Sequence, residues 1–164
     1  NEINGLDYLI TQAARRGLRI VFNPSPIDES IFRLPLGEAW LLIFNEIEGG
    51  ALAGCDDEEG ILNTLRQRWP RCRLLLTLGS HGCVYDDGQR RLRQSIYQVG
   101  TVDTTAAGDT FTGYFVACMA AGRPEEECLD LASRAAAIAV SRPGAAPSIP
   151  TMDEVQRCTL RREE

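Results

Sequence analysis

Three short apolar runs constrain the fold most: residues 18–22, 39–44 and 73–78, separated by segments of helical periodicity. Strands with so few polar positions have no face suited to water, so both sides must be covered. Alternation with helices then gives a parallel sheet packed between helices. Asn4 caps a first helix that carries Leu6, Leu9, Ile10, Ala13 and Ala14 on one face and stops at Gly17. The first strand ends at Asn23-Pro24-Ser25-Pro26, which neither strand nor helix continues. Asn45 opens a short helix to Ala53, closed by Gly54, and Asp56 and Asp57 cap a longer one carrying Ile61, Leu62, Leu65 and Trp69. Residues 83–86 and 91–99 read as strands around a turn at Asp87-Gly88. Residues 111–121 and 125–141 read as helices, 143–150 as a rigid loop, and a charged helix follows Thr151. The expected class is α/β, a mostly parallel sheet with helices on both faces and one β-hairpin.

Ligands in such sheets bind outside the carboxyl ends of the strands. Three motifs fall there: Asn45 to Glu48, Thr77 to Gly82, and Asp103 to Asp109. The third, in Thr101-Val102-Asp103-Thr104-Thr105-Ala106-Ala107-Gly108-Asp109, carries the most chemistry. Small residues let a backbone approach a bulky anion, and the first amides of a helix point outward without internal partners. Ala106, Ala107 and Gly108 therefore form a cradle for phosphate or for charge developing on it. Asp109, at the head of the apolar helix, serves such a cradle as a base that takes a proton from an attacking nucleophile. A plain helix cap and a ligand-free tight turn are the structural alternatives.

Composition sets the remaining bounds. The 164 residues suffice for one domain with a sizeable core. A net charge of −6 argues against a nucleic-acid surface, and no apolar run approaches the roughly 20 residues that span a bilayer. Cys55, Cys72, Cys83, Cys118, Cys128 and Cys158 form no CxxC pair and no zinc spacing, as expected of reduced thiols in a cytoplasmic protein. The absence of GxGxxG after the first strand disfavours a dinucleotide-dependent dehydrogenase. Arg90-Arg91-Leu92-Arg93 reads as a solvated face, and His81 as a loop side chain. Asn1-Glu2-Ile3 runs straight into the first helix, so the chain is expected to begin inside a longer protein.

The motifs together resemble the ribokinase branch of the ribokinase-like (PfkB) carbohydrate kinases. Asp103-Thr104-Thr105-Ala106-Ala107-Gly108-Asp109-Thr110-Phe111 is similar to that family's signature, Asn23-Pro24-Ser25-Pro26 to its NPAP segment, and Asn45-Glu46-Ile47-Glu48 to its NxxE helix. Thr77-Leu78-Gly79-Ser80-His81-Gly82 is similar to its nucleotide loop, and Gly144-Ala145-Ala146-Pro147-Ser148-Ile149-Pro150 to its closing loop. The resemblance implies a three-layer Rossmann-like architecture, with 1–164 as the C-terminal, nucleotide-binding part and the family's first strands and lid absent. It implies an ATP-dependent sugar phosphotransferase, D-ribose to ribose 5-phosphate, with another sugar or nucleoside kinase or a non-catalytic nucleotide-binding fragment as alternatives. By the same resemblance Asp109 is the base, and Ala106, Ala107 and Gly108 the anion hole. Asn45, Thr77, Gly79, Ser80, Gly82, Gly108 and Ser133 serve ATP, and Glu48 reaches magnesium through water. Asp103, Thr105, Ala139, Arg142, Gly144 and Ser148 hold potassium, and Glu2 and Asp109 meet the sugar. ATP and a small sugar are the implied partners, and a homodimer of the full-length protein is left open.

Overall fold

A computed structural model describes residues 4–162. The chain folds as two compact units: one runs up to Gly79 and adds Cys83–Arg93, the other takes Ser80–Gly82 and everything from Gln94 onward.

The first unit contains α1 (Leu6–Arg15), β1 (Val21–Phe22), β2 (Leu41–Asn45), α2 (Glu46–Ala53), α3 (Glu58–Arg68), β3 (Arg73–Thr77), β4 (Cys83–Asp86) and β5 (Arg91–Gln94). The strands form one sheet in the order β1-β2-β3-β4-β5. The first three run parallel and β4 runs antiparallel to β3. Leu42 lies opposite Leu74, Phe44 opposite Leu76 and Asn45 opposite Thr77. Leu42, Phe44, Leu74 and Leu76 share a core with Leu52 of α2 and with Ile61, Leu62 and Leu65 of α3. The alternate residues Leu41, Ile43 and Leu75 are equally buried, so neither face of β2 and β3 meets water. Each such side chain contributes about 1.5–3 kcal/mol by leaving solvent. Gly49 lets α2 lie close: a Cβ there would sit 2.9 Å from Ile61 Cγ2 and 3.0 Å from the Phe44 ring.

The β4–β5 hairpin is pinned by Asp86. Its Oδ1 accepts from Arg66 at 2.7 Å and from the Gly88 amide at 2.8 Å, and its Oδ2 accepts from Arg91 Nε at 2.7 Å. Burial pushes this carboxyl up, but the Arg91 and Gly88 bonds and the Arg66 charge outweigh it and hold it below the ordinary carboxylate range. The basic run is therefore not simply a solvated face: Arg91 also binds Asn63 at 2.6 Å, and Arg93 pairs with Glu58.

Two expectations in this unit are corrected. The strand over 18–22 shrinks to Val21–Phe22, because the Leu18 amide donates to Ala13 O at 3.1 Å and so belongs to the end of α1. Leu18 is 61% exposed. The first helix starts after a left-handed Gly5 rather than on an Asn4 cap, and of its apolar residues only Ile10 is buried.

The second unit is built on α4 (Ala107–Ala120) and α5 (Glu125–Val140), which pack on each other, followed by α6 (Met152–Arg157). Phe111, Phe115 and Cys118 of α4 are buried, as are Cys128, Leu129, Ala132, Ala135 and Ala139 of α5. The strand expected over 91–99 stops at Gln94, and Tyr97 makes a lone antiparallel bridge with Arg162. The reason is a polar knot on α5: Asp130 accepts from the Tyr97 hydroxyl, from Arg134 at 2.8 Å and from Arg162 at 2.7 Å. The rigid loop over 143–150 contains a 3₁₀ turn at Ala146–Ser148. All six cysteines are free thiols, and burial pushes Cys72 up to about 11 and Cys128 up to about 12. Among the described residues no helix is long and apolar enough to cross a membrane.

Candidate functional site

The expected site residues fall into two groups, one at and just after the ends of β2 and β3 and one around the start of α4 and the end of α5. In the first unit, Asn45 and Thr77 are register partners at the carboxyl ends of β2 and β3. The Thr77 hydroxyl donates to Phe44 O at 3.4 Å. Asn45 caps α2 in a reciprocal box: its Oδ1 accepts from the Glu48 amide at 2.9 Å, and Glu48 Oε2 accepts from the Asn45 amide at 3.0 Å. The N-x-x-E spacing is what this box requires, because N-cap and N3 face each other across the first helical turn. Glu48 is only 6% exposed. Glu48 thus offers one oriented carboxylate, which suits magnesium in its usual water-rich shell rather than an all-protein cage. No cluster of three acidic, histidine or cysteine side chains able to hold a metal occurs among the described residues.

Gly79 follows with φ +52° and opens a 3₁₀ turn, Gly79–His81, in which Ser80 and His81 are exposed. Gly82, φ +85°, lies against the chain at Gln94: a Cβ there would sit 2.0 Å from the Gln94 carbonyl oxygen. Only glycine fits both the dihedral and the space.

The second group centres on Asp103. Its Oδ1 accepts from the Thr105 amide and its Oδ2 from the Gly144 amide, both at 2.9 Å, so one carboxylate ties the loop before α4 to the loop after α5. The Thr105 side chain, then the Thr105 and Gly144 amides, hold that carboxyl below the usual range. The Val102 and Asp103 amides donate to Val140 O at 2.8 and 3.1 Å, fixing the same loop to the end of α5. Ala106 adopts φ +63°, the only positive φ of a non-glycine residue among those described. Helix α4 then begins at once on Ala107, not at residue 111 as the sequence led us to expect. The Asp103 turn and the left-handed Ala106 set its direction early enough for Gly108 to lie inside the first turn.

Asp109 occupies the third helical position and is exposed. Ala106 supplies no side-chain cap. The Ala107 amide makes a long 3.2 Å bond to Thr104 O, while the Gly108 and Asp109 amides have no backbone acceptor among the described residues. Free amides at a helix N-terminus suit an anion, and here a carboxylate stands on the same turn.

The remaining expected cation ligands lie in the last turn of α5 and in the segment that follows it. The Arg142 amide donates to Ala139 O at 3.1 Å, and the Ser148 hydroxyl to Ala145 O at 2.7 Å. Ala139 lies in the last turn of α5 and Arg142, Gly144 and Ser148 follow it, in the segment that Asp103 ties to the loop before α4; the carbonyl and hydroxyl oxygens there are of the kind a weakly hydrated monovalent cation takes. Ser133 is set apart: it is buried about two turns before the end of α5. Glu2 lies outside the described residues.

One participant went unread in the sequence. Glu154 closes a capping box with Thr151 on α6 and binds Arg142 at 2.7 Å. The Thr151 amide and Arg142 bring its carboxyl down to about 2. The spacing Thr151-Met152-Asp153-Glu154 carried the signal.

Comparison with known proteins identifies the family. The model of the pfkB family of carbohydrate kinases matches residues 5–152. The chain is 33% identical to the ribokinase of Schizosaccharomyces pombe over 167 residues, covering 93% of this chain and 50% of that protein. It is 34% identical to fructokinase-1 of Oryza sativa over 127 residues, covering 72% of this chain and 39% of that one. Arabidopsis thaliana ribokinase, solved with ribose and ATP, superposes with a TM-score of 0.78 at 31% identity, over 92% of this chain and 52% of that one. The chain spans about half the length of the ribokinases it matches. With its motifs in place at the strand ends and ahead of α4, the chain belongs to the pfkB family of carbohydrate kinases.

Proposed function

We propose that this chain is the nucleotide-binding and catalytic part of an ATP-dependent sugar kinase that converts D-ribose to ribose 5-phosphate. The first turn of α4 carries the proposal: exposed Asp109 stands on a turn whose Gly108 and Asp109 amides lack backbone acceptors. Asp109 takes the proton of a sugar hydroxyl, whose oxygen attacks the γ-phosphorus of ATP. The bond from that phosphorus to the bridging oxygen breaks, and ADP leaves with the bonding pair. The amides of Ala106, Ala107 and Gly108, with that of Asp109 beside them, offset the charge on the moving phosphoryl oxygens.

Asn45, Thr77, Gly79, Ser80 and Gly82 serve the nucleotide in this reading. Glu48 would hold magnesium through water, and the metal when bound would neutralise phosphate charge. Asp103, Thr105, Ala139, Arg142, Gly144 and Ser148 would hold potassium, whose charge supports the anion-binding turn from behind. Ribose is favoured by the S. pombe and A. thaliana ribokinases among the relatives and by the closing segment Gly144-Ala145-Ala146-Pro147-Ser148-Ile149-Pro150. A fructokinase at 34% identity makes a hexose the second substrate reading.

The test is Asp109→Asn in the enzyme carrying this chain, assayed against a panel of sugars with ATP. A positioned base contributes about 10²–10⁴-fold, so kcat falls by that factor while the affinity for ATP changes little. Near-normal turnover refutes the assignment. A wild type that phosphorylates fructose and not ribose moves the substrate and leaves the mechanism standing.

A further inference from the structure

Thr110 follows Asp109 in the first turn of α4 and is 2% exposed. Its amide donates to Ala106 O at 2.8 Å, whereas its side-chain Oγ1 is buried with no hydrogen-bond partner. A buried hydroxyl left unpaired destabilises the fold, and such groups are rare enough in proteins that each calls for an explanation. A threonine inside a helix can reach the carbonyl four residues back by its choice of χ1 rotamer. For Thr110 that carbonyl belongs to Ala106, the left-handed residue on which the anion-binding turn is built.

The peptide between Ala106 and Ala107 links the two ends of the argument. Its C=O accepts from the Thr110 amide, and its N–H is held only by the 3.2 Å bond to Thr104 O. An anion that draws on this N–H polarises the whole peptide and makes its oxygen a stronger acceptor, since hydrogen bonds in series reinforce one another. We propose that Thr110 is a positioning residue: its buried hydroxyl, which has no hydrogen-bond partner here, closes onto the Ala106 carbonyl when phosphate occupies the first turn of α4. The closure fixes the left-handed turn and with it the backbone that carries Asp109. This inference rests on the kinase reading of the same turn.

The experiment compares wild type, Thr110→Val and Thr110→Ser in the enzyme carrying this chain. Melting is followed with and without ATP, and steady-state kinetics with ATP and sugar. Valine keeps the shape and removes the hydroxyl, so without ligand T110V melts no lower than wild type, and ATP raises its melting temperature less. Its kcat falls about five- to tenfold, the factor carried by one neutral hydrogen bond, while KM for the sugar stays within about twofold of wild type. T110S restores both kcat and the ATP-induced rise. The proposal is overturned if T110V keeps the wild-type kcat and the wild-type rise with ATP. It is equally overturned if ligand-free T110V fails to fold or melts several degrees low while T110S does not, for the hydroxyl is then already partnered. A wild type that is stabilised by ATP but phosphorylates no sugar refutes the kinase reading alone, and the melting comparisons still decide on Thr110. A wild type that ATP does not stabilise overturns both.

Discussion

Replacing Gly82 by alanine tests whether the loop after β3 is held by backbone contact. Two costs act at this position. The residue has φ +85°, where an added Cβ costs about 1–2 kcal/mol. The Cβ would also lie 2.0 Å from the Gln94 carbonyl oxygen, and real Cβ atoms essentially never come closer than 3.0 Å. The obstacle is backbone and cannot rotate aside, so the loop or the chain at Gln94 has to shift by about 1 Å. The dihedral term alone lowers the melting temperature of a chain this size by about 2–8 °C, and the shift adds to it. Where a nucleotide loop is misplaced by about 1 Å, the rate falls by about 10²-fold. Gly113→Ala is the control: it lies exposed within α4, nothing stands within 4 Å of its Cβ, and alanine there stabilises the helix by about 0.5–1 kcal/mol. The assay is thermal unfolding of both variants alongside kcat/KM for ATP. A G82A protein that melts like wild type, or one no worse than G113A in turnover, refutes the claim that this contact sets the loop.

Two further outcomes follow from the group around Asp103. If its oxygens and those of Ala139, Gly144 and Ser148 hold a monovalent cation, activity rises with potassium and not with equimolar sodium, and indifference to potassium removes that assignment. Glu154 has a carboxyl lowered from 4.5 to about 2, so its contribution to stability is present above 4.5 and is lost as pH falls through about 2. Glu154→Gln therefore flattens the loss of stability across that acid window in pH-dependent melting, and an unchanged slope would show that its bonds to Thr151 and Arg142 do not matter in solution.

What was legible in the sequence and what was not divide along a physical line. The runs at 39–44 and 73–78 announced β2 and β3 because a strand covered on both faces leaves little room for polar residues. Asn45 and Asp57 announced the starts of α2 and α3 because a cap bond spans only three residues. Such signals are local in the chain, and a reader of residues can see them. The start of α4 was missed because its determinants are not local. Asp103 is oriented by the Gly144 amide, 41 positions along the chain, and Ala106 takes a left-handed conformation that alanine does not favour in isolation. The end of β5 was missed for the same reason, since Tyr97 is drawn off by Asp130 and Arg162. Among the site residues, the sequence supplied the identity of Asp109 and its small neighbours, while the distant tie from Asp103 to Gly144 supplies the turn that presents them. A carboxylate that joins two loops and also bounds the anion-binding turn makes that turn answerable to whatever occupies the loops. If these loops hold a cation, its coupling to Asp109 needs no contact between ion and substrate: a change in how Asp103 holds Thr105 and Gly144 would act at Ala106, one residue beyond Thr105, and so at the first amides of α4.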